Sequence, residues 1–240
     1  MKSQLQSNQE PPKVIFLDAM GTLFGLKKSV GEIYQAIAIK YGVKISPSFI
    51  DRAFIASFKT APPLAFSSSY SEEKMYLAEF NWWQKIVRDT FEKLDTITEF
   101  TDFSAFFAEV YAYFATERPW YVYPDVIPSL QRWEQKGIEL GVISNFDRRL
   151  YQVLELLKIK QFFSSITISS EAGFAKPNPK IFHIALQKHH CISQQAWHIG
   201  DSLIEDYQGA IAVEIKSFWL NRDQQSINYG NQLPNLNTLG

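Results

Sequence analysis

A doubly wound α/β fold with a parallel sheet, interrupted by an all-helical insert, is the architecture this chain of 240 residues predicts. Three observations carry it. The run VIFLDA at 14–19 has the composition of a buried strand and ends in a carboxylate, with Gly21 close behind. After Pro119, strand and helix patterns alternate. Between the two, from about 28 to 118, the apolar residues follow helical spacing alone.

Taken in order, VIFLDA is apolar and partly β-branched, with no polar alternation, as a strand covered on both faces requires. Three helical stripes follow: Val30, Ile33, Tyr34, Ile37 and Tyr41; Tyr76, Phe80, Trp83 and Val87; Phe103, Phe106, Phe107, Val110 and Phe114. PPLAFSSSYS at 62–71 is a loop between two of these helices. Asp125 is placed to N-cap a helix that stops at Gly137. IELGVIS at 138–144 reads as a strand, Leu150, Val153, Leu154 and Leu157 stripe the next helix, and SITISS at 165–170 is another strand. Pro179 suits the first position of a helix running to about His190. WHIGD at 197–201 and IKSFWL at 215–220 are strands with a helix between them. The core is thus expected at 12–27 and 119–222, the helical insert at 28–118, and flexible tails at 1–11 and 223–240.

Composition narrows the function. Apolar residues make up 46% and charged residues 20%, enough to bury a core and too apolar for disorder. Lys plus Arg number 24 against 25 Asp plus Glu, a net charge of −1, which leaves no basic footprint for nucleic acid or an anionic membrane. Cys191 stands alone, so a disulfide framework and a cysteine-based zinc site are excluded. No apolar run approaches the ~20 residues of a membrane span, and MKSQLQSNQEPP lacks the apolar stretch of a signal peptide. The expectation is a cytoplasmic protein, monomeric or a weak homodimer, with a small molecule as its partner. Aromatics reach 15% and crowd between 76 and 123, so the insert packs differently from the rest.

Four polar signatures fall where a doubly wound sheet places its active site, beyond the carboxyl ends of strands. They are DAMGTLF at 18–24, SNFD at 144–147, KPNPKIF at 176–182 and GDSLIED at 200–206. In their order and spacing the chain resembles the haloacid dehalogenase (HAD) superfamily of hydrolases over roughly 13–222, and YPD at 123–125 is similar too. The resemblance implies a Rossmann-like core whose active site is closed over by an all-helical cap.

It also implies roles. Asp18 matches the nucleophile, a carboxylate that attacks phosphorus and forms an aspartyl-phosphate. Asp201 and Asp206 match the acidic pair which, with Asp18 and the backbone carbonyl of Met20, makes a hard-oxygen site for Mg²⁺; Asp201 ligates and Asp206 holds the surrounding shell or ligates directly. Ser144 matches the hydroxyl that binds the phosphoryl group, and Asn145 shapes that loop. Lys176 matches the lysine that neutralises charge on phosphoryl group and nucleophile. Gly21 and Thr22 form the turn after Asp18.

The departure is Met20. Phosphatases of this superfamily carry a second Asp there, which protonates the leaving group and then activates water, and a thioether transfers no proton. A phosphatase of a small phosphorylated metabolite, weak or specialised, is the expected function. The main alternative is a catalytically impaired protein that binds a phosphorylated ligand or a protein partner. Haloacid dehalogenation fits less well, because those metal-free enzymes replace the acidic last motif with Ser and Asn. Phosphonate hydrolysis would need a cap lysine in a recognisable motif, and Lys40, Lys44, Lys59 and Lys74 lie in none. His189, His190 and Cys191 read as a solvated helix end, Trp83 as packing inside the insert with Trp82 beside it, and Lys27 and Lys28 as linker charges.

Overall fold

The computed structural model describes residues 11–222 and 230–239. Apart from Pro11, the tail expected at 1–11 lies outside the described residues, as do 223–229 and Gly240. In chain order the elements are β1 (Val14–Leu17), β2 (Phe24–Leu26), α1 (Val30–Ala38), α2 (Pro47–Thr60), α3 (Glu72–Glu92), α4 (Phe103–Tyr113), β3 (Trp120–Val122), α5 (Val126–Gln135), β4 (Glu139–Ser144), α6 (Arg149–Leu156), β5 (Ser165–Ile168), α7 (Ser169–Ala172), α8 (Pro179–Lys188), β6 (Ala196–Gly200), α9 (Gly209–Ile211), β7 (Lys216–Leu220) and β8 (Gln232–Leu233).

Six parallel strands form the sheet in the order β5-β4-β1-β6-β7-β8. β1 lies between β4 and β6, and all four of its side chains are fully buried, which is why it reads as an unbroken apolar run. Ile15 and Leu17 pack with Leu130 and Trp133 of α5 and with Leu150, Val153 and Leu154 of α6. Val14 and Phe16 pack on the other face with Ile181, Phe182 and Ala185 of α8. The order of connection reverses at β1, with β4 on one side and β6 on the other. That opens a crevice beyond the carboxyl ends of these three strands.

Helices α1–α4 enclose a second core, built from Ile33, Tyr34, Ile37, Val87, Phe91, Phe106, Phe107 and Val110 among others. Its rings pack edge to face, Phe80 on Phe107 at 4.7 Å and Phe91 on Phe106 at 5.3 Å. Such pairs contribute about 0.5–1.5 kcal/mol each beyond area burial. Ser29 caps α1 reciprocally with Glu32, and Asp102 caps α4 by accepting from the Ala105 N–H. The chain enters and leaves this insert through a two-stranded antiparallel ribbon, β2 with β3, which sequence reading did not anticipate.

Three expectations are corrected. Residues 230–239 are not loose: β8 extends the sheet beside β7, and Leu233 and Leu236 are buried against the core, an anchorage a two-residue strand in an Asn- and Gln-rich stretch does not advertise. Asp125 does not cap α5 with its side chain; the carboxylate pairs with Arg222 and accepts from the Leu236 N–H at 2.7 Å. His189 is buried rather than solvated, with Nδ1 2.5 Å from a Glu139 carboxylate oxygen and Nε2 2.6 Å from the Ser165 hydroxyl.

The insert is seated on the core by the loop after β4. The Trp83 indole N–H donates to Asp147 at 2.6 Å, so Trp83 clamps the interface as well as packing the insert. Buried Glu79 accepts from the backbone N–H and the Nε–H of Arg148, both at 3.1 Å. Arg149 donates to the Tyr111 carbonyl at 3.2 Å and lies 3.9 Å from the Tyr111 ring centre. Burial alone would raise the Asp147 carboxyl, but the Arg149 guanidinium outweighs it and holds the group below its usual range. No helix among the described residues is long and apolar enough to cross a membrane.

Candidate active site

The crevice gathers the six side chains given site roles from the sequence, Asp18, Ser144, Asn145, Lys176, Asp201 and Asp206. Asp18 follows β1 directly, Ser144 ends β4, and Asn145 follows it. Lys176 lies in the loop before α8, Asp201 follows β6, and Asp206 sits in a π-helical turn, Leu203–Gln208. Lys176 Nζ donates to Asp18 Oδ1 at 2.6 Å and to Asp206 Oδ1 at 2.5 Å. The Ser144 hydroxyl donates to Asp18 Oδ1 at 3.1 Å. Asn145 does not face Asp18. Its amide accepts from the Lys176 N–H at 2.7 Å and donates to the Lys176 carbonyl at 2.9 Å, so it holds the loop that delivers the lysine. Met20 contributes no side chain to the cluster; it is 43% exposed.

Two glycines permit the close approach. Gly21 has φ of +88°, and a Cβ there would stand 2.3 Å from Asp201 Oδ2. A Cβ on Gly200 would stand 2.1 Å from Asp206 Cγ. Asp206 is buried and fixed by Lys176, by His198 Nε2 at 2.9 Å and by the Ser202 N–H at 3.0 Å, so it has nowhere to retreat. Gly200→Ala is therefore expected to lower stability by about 2 kcal/mol or more, since overpacking typically costs 1–3. Chemical denaturation of the purified variant checks this, and an unchanged midpoint would contradict the packing described.

Charge in the cluster is unbalanced. Burial opposes the ammonium of Lys176, but Asp18 and Asp206 outweigh it and hold the amine protonated above its ordinary range. The same lysine, aided by His198, overcomes burial at Asp206 and keeps that carboxyl well below the carboxylate range. Burial pushes Asp18 up. Asp201 keeps an open side, yet loss of solvation and the repulsion of Asp18 and Asp206 push it up to about 8. Ligand oxygens of Asp18, Asp201 and Asp206 lie within 4.8 Å of one another. Three carboxyl groups share one ammonium in an all-oxygen donor set, so full ionisation would leave two negative charges that a cation could offset, and the Met20 carbonyl accepts no hydrogen bond among the described residues. These residues fit a hard divalent cation.

Sequence reading missed several supports. His198 is a polar residue inside a buried strand, and that oddity was its signal. Arg222 gave none. Its guanidinium donates to the carbonyls of Gly21 at 3.1 Å and Thr22 at 2.7 Å, pairs with Asp125 and stacks on Tyr123, fixing the turn after Asp18. Thr22 faces Asp201 at 3.5 Å.

A family model described as haloacid dehalogenase-like hydrolase matches residues 12–214. The human protein named haloacid dehalogenase-like hydrolase domain-containing protein 3 is 31% identical over 208 residues, covering 86% of this chain and 80% of that protein. A glyceraldehyde 3-phosphate phosphatase of Methanopyrus kandleri is 39% identical over 89 residues, 37% of this chain and 38% of that protein. Among solved structures, a HAD phosphatase from Thermococcus onnurineus aligns with a TM-score of 0.65 at 19% identity over 95% of both chains. L-2-haloacid dehalogenase from Xanthobacter autotrophicus aligns with a TM-score of 0.65 at 17% identity over 90% of this chain and 80% of the other. At such identities the two structures speak for the fold.

Proposed function

This chain belongs to the haloacid dehalogenase-like hydrolases, and from that membership we propose that it is a Mg²⁺-dependent phosphatase of a small phosphorylated metabolite, acting through an aspartyl-phosphate on Asp18. The observation that carries the reading is Lys176, bridging Asp18 and Asp206 at 2.6 and 2.5 Å with the Ser144 hydroxyl alongside. A phosphatase among its partial relatives supports it.

The Asp18 carboxylate attacks phosphorus in line with the ester oxygen; its O–P bond forms as the ester P–O bond breaks, and the leaving oxygen takes the electron pair. Ser144 turns its hydroxyl from Asp18 to a phosphoryl oxygen, and Lys176 meets the charge that spreads over phosphoryl group and nucleophile. Asn145 keeps that lysine in place through its backbone. Mg²⁺ held by Asp18, the Met20 carbonyl and Asp201, with Asp206 behind or beside them, would neutralise phosphoryl charge and keep Asp18 ionised. Water then cleaves the acyl phosphate and frees Asp18. Met20 supplies no proton to the leaving oxygen, so unactivated alkyl esters turn over slowly. The acidic pair Asp201 and Asp206 favours phosphoryl transfer over halide displacement, which needs no cation.

The test is hydrolysis of 4-nitrophenyl phosphate with Mg²⁺, followed by borohydride trapping and mass spectrometry of the peptide containing Asp18. Turnover with a reduced Asp18 is expected. No turnover in a folded protein that still binds Mg²⁺ would overturn the catalytic reading in favour of a phosphoryl-ligand binder.

A further inference from the structure

We propose that the ester group this site accepts is an uncharged aryl group of one or two fused rings, and that Met20 sets this specificity by walling its pocket; the inference rests on the phosphatase reading. A cavity of about 190 Å³ lies where the helical insert meets the core. Met20, Val30, Phe54, Trp83, Phe107 and Phe146 are among the residues that line it. Two of its lining residues stand next to the cluster along the chain: Met20 follows Asp18 by two residues, and Phe146 follows Ser144 by two.

The lining offers an incoming group almost nothing polar. Arg149 is the one charged residue among those that line it. Its guanidinium is already committed to Asp147, at 2.6 and 2.8 Å, and to the Tyr111 carbonyl. Tyr34 and Tyr111 also line the space, and burial holds both phenols protonated and neutral. Against those two phenols a sugar moiety would leave most of its hydroxyls unpaired at roughly 1–3 kcal/mol apiece, and a carboxylate would cost more. An apolar ring gains about 25 cal/mol for each Å² removed from water. Size agrees, because an apolar cavity of about 150 Å³ accepts benzene, and this one is larger.

Chemistry points the same way. An aryl oxide, whose conjugate acid titrates near 10 as tyrosine does, departs with the electron pair of the broken P–O bond without first being protonated. It takes its proton from water afterwards. One side chain thus has two effects, since Met20 removes the proton donor and makes the adjoining wall apolar.

The experiment compares 1-naphthyl phosphate with O-phosphotyrosine in Mg²⁺. Both leave as phenolates, so a difference reports the rest of the ester group, its ring size and charged tail together, and not the leaving oxygen. A kcat/KM at least ~50-fold higher for the naphthyl ester is expected, that factor being about 2.3 kcal/mol. Calorimetry with 1-naphthol, which has no phosphorus, reads the cavity independently of turnover; Val110→Phe, which fills it, and Met20→Asp, which charges its wall, should each weaken binding at least ~10-fold. Hydrolysis of both esters at equal rates, with no naphthol binding, would overturn the inference and leave the phosphatase reading standing. Naphthol binding sensitive to both variants, without hydrolysis of either ester, would support the cavity and sink the phosphatase reading.

Discussion

Met20→Asp is expected to raise kcat/KM for an alkyl phosphate such as glycerol phosphate by ~10²–10⁴-fold, the range in which general acid–base catalysis operates. That factor is roughly 3–5 kcal/mol of barrier. The position suits the exchange: the wild-type side chain is 43% exposed, so the new carboxylate keeps water on one side and no core atom is removed. The turn that carries it is fixed from behind by Arg222 through the carbonyls of Gly21 and Thr22, so the added acid arrives on a rigid backbone. Gain should appear with alkyl esters and be small with 4-nitrophenyl phosphate, whose leaving group needs no proton. A folded variant that binds Mg²⁺ yet gains on neither ester would show that proton transfer does not limit this site.

Lys176→Met is expected to reduce kcat by ~10²–10³-fold, the loss seen when one preorganised donor to a transition-state charge is removed. It should also cost about 3–5 kcal/mol in the absence of metal, because Asp206, buried with the lysine, loses its countercharge and the ammonium no longer offsets Asp18. Added Mg²⁺ should restore part of that stability and move the melting temperature of the variant more than that of the wild type. Calorimetric melts of both proteins across a Mg²⁺ series measure this. Equal shifts would mean that lysine and cation do not serve the same carboxylates.

What could be read from the sequence follows from where the information sits. β1, β4 and β7 are short apolar runs because both faces of the sheet are covered, and burial of that kind writes itself into consecutive residues. Asp18, Ser144, Lys176 and Asp201 follow such strands or precede a proline-opened helix, so their positions were fixed by local pattern. The ribbon of Phe24–Leu26 with Trp120–Val122 was not legible, since each strand has three residues and one contains Gly25. Helix α2 buries Ile50, Ala53 and Ser57, a stripe too small and polar to stand out. Glu79 and Arg222 matter through partners 69 and 200 residues away, and no local pattern announces such pairings. Asp125 shows the opposite error: its sequence position suggested a helix cap, while long-range contacts with Arg222 and Leu236 claimed the carboxylate.

The central place of β1 governs the order in which the chain becomes a protein. Synthesised among the first described residues, it has no partner strand until β4 emerges, and the second arrives only with β6. Meanwhile α1–α4 appear one after another and find their apolar partners within the insert itself. The insert can therefore condense early on local contacts, whereas β1 waits as an unpaired hydrophobic segment until distant strands are made. The stretch from Val14 to Leu17 is thus an apolar segment that stays without strand partners while the whole insert is made, which leaves it open to aggregation over that interval.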